Sequence, residues 1–161
     1  MRTTDRVLIG IVVGAVLLAG GAFAVILLRP EPTYLDADTP EGVVHNYLLA
    51  FQREDYSRAY GYLSPNLSGY PRSAQQFEQQ VEDSYQFQGI NEGSLTISTA
   101  AVDGTQATVE IRETIFSDGG LFDSGQYLNT FKVDLTQVGG EWKITDSERY
   151  FLACWRRLGA C

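Results

Sequence analysis

Hydrophobic and polar positions divide the chain into three regimes. Residues 7–28 (VLIGIVVGAVLLAGGAFAVILL) form an unbroken run with no charged or polar side chain. Twenty-two residues rising about 1.5 Å each extend about 33 Å, enough for a hydrocarbon core of about 30 Å. The pattern predicts a transmembrane helix over 7–28. A cleaved signal peptide is the competing reading, since Ala22-Phe23-Ala24 has the small-x-small form of a cleavage site. The apolar run continues through Val25–Leu28, past the usual length of a signal h-region, and this favours the anchor. Arg2 and Arg6 precede the run, and acidic residues dominate after Arg29, so residues 1–6 are expected in the cytoplasm and the remainder outside the membrane. Gly10, Gly14 and Gly21 fall on one helical stripe, which suits either a close-packed dimer face or ordinary membrane-helix composition.

Beyond a proline-bearing linker over 29–38, the period becomes helical. Thr39-Pro40-Glu41 reads as a helix start, with a hydroxyl cap, proline at the first position and an acid in the first turn. Val44, Tyr47, Leu48 and Phe51 then make one apolar face. Asp55 caps a shorter helix carrying Tyr56, Ala59, Tyr60 and Leu63. Ser73 and Gln76 form a capping box for a third helix, with Phe77, Val81 and Tyr85 inward.

From Ser94 the period is two. Leu95, Ile97, Thr99 and Ala101 share one face of a first strand, and Asp103-Gly104 turns it. Ala107, Val109, Ile111, Glu113 and Ile115 share a face of the second. After a loop at 117–125, a third strand over 126–138 places Tyr127, Asn129, Phe131, Val133 and Leu135 together. Gly139-Gly140 leads to a fourth strand with Trp142 and Ile144, and Arg149–Trp155 reads as an extension of the sheet. Helices followed by an antiparallel meander predict an α+β domain over 39–161, with three helices packed on a curved sheet of four or more strands.

Several of these segments are similar to members of the NTF2-like superfamily. They are Val43-Val44…Tyr47-Leu48…Ala50-Phe51, Asp55-Tyr56…Ala59-Tyr60…Leu63-Ser64-Pro65 and Gly140-Glu141-Trp142-Lys143-Ile144. The likeness is closest to small, membrane-anchored bacterial members of uncharacterised function, and covers roughly 38–150. It implies a cone in which helices close one side of a bent sheet, often around a pocket. That superfamily includes isomerases, dehydratases, polyketide cyclases and non-catalytic domains, so the fold does not choose a function.

Charge and composition narrow the chemistry. The 161 residues carry 12 Lys+Arg and 20 Asp+Glu; from Pro30 onward nine bases face nineteen acids, a balance of −10. So acidic a surface disfavours nucleic acid. With one histidine and two nearby cysteines there is no zinc-ligand set, and no P-loop, dinucleotide fingerprint or nucleophile elbow occurs, so neither metal nor cofactor is expected. His45 lies off the apolar face of its helix and reads as partly exposed. Tyr56 and Tyr60 read as packing residues rather than catalytic ones.

Glu113 breaks its pattern: a carboxylate on an apolar face requires a partner or water. Hairpin pairing places it across from Asn129 or Phe131, and Glu113, Asn129 and Tyr127 are the candidate ligand site. A strand end or bulge that turns Glu113 outward is the alternative. Cys154 and Cys161 are expected to form a tail disulfide, worth about 2.5 kcal/mol in the chain-entropy model. Leu121-Phe122 sit at a loop tip as a lid, a partner contact or a fold-back onto the sheet. Together these features predict a single-pass, extracytoplasmic, non-catalytic binding module, with a protein partner, a second copy or a small apolar ligand as its occupant. An isomerase- or dehydratase-type enzyme using Glu113, and a structural subunit of an envelope complex, are the alternatives.

Overall fold

The structure is a computed structural model that describes residues 3–28, 31–91, 93–118 and 124–157; of the side chains, those of 3–8, 25–27, 116–118 and 124 lie outside the described set. The chain separates into two units, Met1–Thr33 and Tyr34–Cys161. In the first, a single helix α1 covers Thr3–Leu27, with Ile11, Val16, Leu17, Leu18 and Phe23 exposed. Among the described residues no helix is long and apolar enough to cross a membrane. The span expected over 7–28 includes residues 7, 8 and 25–27, whose side chains are outside that set.

The second unit begins earlier than the pattern at Thr39 suggests. Buried Asn46 accepts the Leu35 N–H at 2.7 Å and donates to the Leu35 carbonyl at 2.7 Å, holding residues assigned by sequence to a free linker. The fit is close at Gly42, where a Cβ would lie 2.0 Å from the Asp36 carbonyl oxygen. Helix α2 (Pro40–Gln52) starts as its cap residues dictate, with Thr39 Oγ1 accepting from Gly42 N–H at 3.1 Å. It is buried nearly all round rather than on one face, since Val43, Asn46, Leu49 and Ala50 are covered too. His45 is only partly buried.

Helix α3 (Tyr56–Tyr62) is capped by Asp55, and α4 (Ala74–Glu82) by Ser73, whose Oγ accepts from Gln76 N–H. The capping box is displaced by one residue: Gln76 Oε1 receives the Arg72 N–H at 2.8 Å instead of that of Ser73. Helix α4 ends at Glu82, so Tyr85 opens a separate 3₁₀ turn (Tyr85–Phe87) and is 85% exposed, while Phe87 takes the inward place.

Four strands form an antiparallel meander in sequence order: β1 (Gly93–Asp103), β2 (Gln106–Asp118), β3 (Ser124–Val138) and β4 (Glu141–Ser147). On β2, Ala107, Val109, Ile111 and Glu113 are buried, as alternation requires. On β1 the phase changes at a register shift between Ile97 and Thr99, so Ala100, not Thr99 or Ala101, packs on the core. On β3, Phe131, Val133 and Leu135 are buried, but Asn129 and Tyr127 are exposed.

Among the described residues, the chain after β4 is not a strand. It turns at Tyr150, whose φ of 56° is positive, and then forms a 3₁₀ turn over Ala153–Arg156 that buries Trp155 completely. A chain of rings crosses the interior: Phe131, Tyr150, Phe87, Trp155, Phe77, Phe51 and Tyr47 meet in succession with centroids 4.8–6.5 Å apart. Trp155 Nε1–H donates to Gln80 Oε1 at 2.8 Å, tying the tail to α4. Gly69 permits the close approach on the other side, since a Cβ there would stand 2.0 Å from the Cys154 carbonyl oxygen. There is no free cysteine among the described residues; Cys161 and the Leu121-Phe122 tip lie outside them.

Candidate functional site

The buried carboxylate of Glu113 is the centre of the site. In the ladder it lies between Leu95 of β1 and Asn129 of β3, and its residue is only 2% exposed. An ionised carboxylate at that depth needs charge-assisted donors to offset its lost hydration. Two are present. Tyr150 OH donates to Oε1, and Arg149 Nη1–H donates to Oε2, forming a salt bridge.

Both partners come from the turn after β4. Tyr150 is fully buried and held at two points, because its carbonyl accepts the Tyr47 hydroxyl at 2.6 Å while its own hydroxyl reaches Glu113. A positive φ on an aromatic residue costs on the order of 1–3 kcal/mol, and persists only where surrounding contacts over-determine it. Burial pushes the Tyr47 hydroxyl well above its ordinary pKa. The Arg149 side chain is 30% exposed, with its guanidinium carbon 5.2 Å from the centre of the Tyr150 ring. The carboxylate is therefore bonded inward to a phenol and outward to a cation that reaches the surface.

Of the predicted trio, Glu113 alone occupies a buried site. Asn129 is its ladder partner but is exposed, and Tyr127 pairs with Ile115 and is 65% exposed. No side-chain hydrogen bond joins Glu113 to either among the described residues. Arg149 and Tyr150 were hidden by their place in a segment with the look of a strand. The one available signal was the need of Glu113 for a cation, met by the first arginine after β4. Tyr56 and Tyr60 are half-buried against the core, and Tyr60 OH donates to the Pro71 carbonyl at 2.9 Å.

Open clefts among the described residues lie outside the ring-filled interior. One of about 360 Å³ is bordered by Gln86, Gln88, Ser147, Arg149 and Arg156. A second, about 540 Å³, lies near Arg58, Tyr62, Trp142 and Lys143. The third, about 350 Å³, is lined by Ser64, Asn66, Thr145 and Asp146 among others. No group of acidic, histidine or cysteine side chains among the described residues is arranged to hold a metal.

Residues 35–113, just under half of the chain, match the model of a family described as a domain of unknown function, DUF4864. A comparison with curated proteins finds no match. Among solved structures, a SEC-C motif containing protein from Rhodopseudomonas palustris is similar at 16% identity and a TM-score of 0.50, covering 73% of this chain and 83% of that one. That likeness is one of fold. The structural neighbours also include an NTF2-like protein with a cystatin-like fold from Novosphingobium aromaticivorans, at 10% identity and a TM-score of 0.45 over 65% of this chain and 74% of that one. A protein of unknown function from Mycobacterium tuberculosis reaches 14% identity and 0.42 over 70% of each chain.

Proposed function

We propose that this protein is a membrane-tethered, non-catalytic binding domain of NTF2-like type, held outside the cytoplasmic membrane of a bacterial envelope. One observation carries the non-catalytic reading: both oxygens of Glu113, the acid on the inner sheet face, are already bonded to Tyr150 and Arg149. A general base needs a lone pair facing substrate, and at 2% exposure the lone pairs that Tyr150 and Arg149 leave on Glu113 are covered by protein. The rings that cross the interior occupy the space an isomerase would give to its ligand. Glu113, Arg149 and Tyr150 then act as a clamp that fixes the chain after β4 against the sheet.

The anchor reading rests on the apolar run over 7–28, on the 25-residue length of α1, and on Arg2 and Arg6 ahead of it. The second unit begins at Tyr34. In an oxidising compartment Cys154 pairs with Cys161; two titratable thiols in the unreduced protein would contradict this.

Glu113→Gln separates a clamp from a catalytic acid. A clamp predicts that the substitution lowers the unfolding midpoint sharply, because Arg149 loses its counter-ion. An acid kept for chemistry at the expense of stability predicts an unchanged or higher midpoint. Alkaline carbonate extraction tests the tether, which predicts that the chain stays with the membrane pellet; release into the supernatant would overturn it.

A further inference from the structure

We infer that the Gly93–Ile97 run of β1, at one edge of the sheet, takes up an extended segment of a partner protein as an added strand. The segment has apolar side chains at alternate positions and basic ones between them. The inference rests on the binding reading and deepens it by naming the surface and the kind of partner. It does not depend on the membrane tether.

The two edges of the sheet are treated differently. Strand β4 has seven residues, three of them charged, and its free side is covered. Leu63 forms a parallel bridge with Ile144, Ser64 N–H donates to the Ile144 carbonyl at 2.8 Å, and Lys143 Nζ donates to the Gly61 carbonyl at 3.0 Å. Strand β1 has eleven residues, with no proline and no charge before Asp103. Among the described residues its backbone hydrogen bonds run to β2 alone. Such an edge presents a row of unpaired N–H and carbonyl groups, which is a template for another strand.

The core side of β1 points the same way. Leu95 and Ile97 pack against the core yet stay partly exposed, whereas Val109 and Ile111 on β2 are fully buried. The apolar face is thus incompletely covered at this edge, and alternate apolar side chains of an added strand would lie directly beside Leu95 and Ile97. The register shift between Ile97 and Thr99 is a bulge of the kind that blunts an edge, and it confines the straight run to Gly93–Ile97. Charge then selects the occupant. Arg112 pairs with Thr96 in the ladder and Glu110 with Thr99, so the edge itself is close to neutral. The chain from Pro30 onward has nine bases against nineteen acids, so a second copy meets long-range repulsion and a basic segment meets attraction.

Fluorescence anisotropy of a labelled heptapeptide alternating lysine and valine, titrated with the full chain in non-ionic detergent, tests this. A heptapeptide alternating glutamate and valine is the charge control, and amide hydrogen exchange locates the contact. The expected result is saturable binding of the lysine peptide, with the glutamate peptide weaker by about tenfold or more. Bound peptide should slow exchange across Gly93–Ile97 and leave Glu141–Ser147 unchanged. Leu95→Lys should lose about tenfold in affinity, while Thr130→Lys, the same charge change at an exposed position of β3, should lose far less. Absence of saturable binding would overturn the inference, as would equal binding of the glutamate peptide, no added protection at Gly93–Ile97, or equal losses in the two variants. Protection of that run that rises with protein concentration before any peptide is added would assign the edge to a second copy and overturn it too. Exchange is read on the unsubstituted chain, so the test stands even if Leu95→Lys does not fold. The Glu113→Gln midpoint is measured without peptide, which keeps failure here distinct from failure of the clamp.

Discussion

Along the β2–β3 ladder, two stretches with the same alternation reach opposite fates. At one end Val109 faces Val133 and Ile111 faces Phe131, all buried at 2% exposure or less beneath the helices and the tail. Two rungs further on, Ile115 faces Tyr127, which is 65% exposed. Glu113 and Asn129 form the rung between, and they differ from each other: the glutamate is buried and the asparagine is not. Glu113 is covered because the turn after β4 brings Arg149 and Tyr150 over it. The comparison shows that strand alternation selects a face, while burial depends on how far a second layer extends across it.

The largest effect should come from the covered end. Phe131→Ala removes a ring in contact with Tyr150, and is expected to cost about 3–5 kcal/mol, measured by urea unfolding. A loss below about 1 kcal/mol would mean that this end is less tightly packed than the ring contacts indicate.

An alkaline titration should show a smaller effect on the same side. Burial raises the pKa of Tyr47 well above the ordinary 10.0, so the native state keeps its proton where the unfolded chain releases it. Stability from this group is complete below about pH 10 and falls as pH rises above that value toward the native pKa. Urea midpoints at about pH 9 and about pH 11 should therefore differ, with the lower midpoint at the higher pH. Tyr47→Phe should start less stable, having lost the bond to the Tyr150 carbonyl, and show a shallower decline. Tyr34, Tyr56 and Tyr70 are raised chiefly by burial as well, so part of the decline should remain.

The smallest effect belongs to the open end. Tyr127→Ser is expected to change stability by no more than about 0.5 kcal/mol. A loss as large as that of Phe131→Ala would erase the contrast between the two stretches and imply that the outer rungs are covered.

Local chemistry made much of this architecture legible. Thr39, Asp55 and Ser73 marked three helix starts because a capping side chain acts within three residues of itself. The inner face of β2, with Glu113 as its exception, followed from a period of two. The β1 register shift left no such mark: Ser98, Thr99 and Ala100 are small residues compatible with either face. Tyr127 and Asn129 were assigned to the core because periodicity carries no information about where the covering layer stops. Arg149–Trp155 resembled a strand because a short apolar run does not specify its backbone, and the positive φ at Tyr150 is maintained by contacts far away in sequence, from Tyr47 and Glu113. The candidate site was thus half visible: the acid that needed a partner could be found, but not the turn that supplies one.

A double-mutant cycle on Glu113→Gln and Arg149→Met, read by urea unfolding of the full chain, tests the clamp most directly. Either single substitution leaves a buried or half-buried polar group without its counter-ion, with an expected cost of about 3–5 kcal/mol. The double variant should recover part of that loss, giving a coupling of about 1–3 kcal/mol between the two positions. Additive losses, or a Glu113→Gln variant more stable than the parent, would contradict the account and return Glu113 to the catalytic candidates.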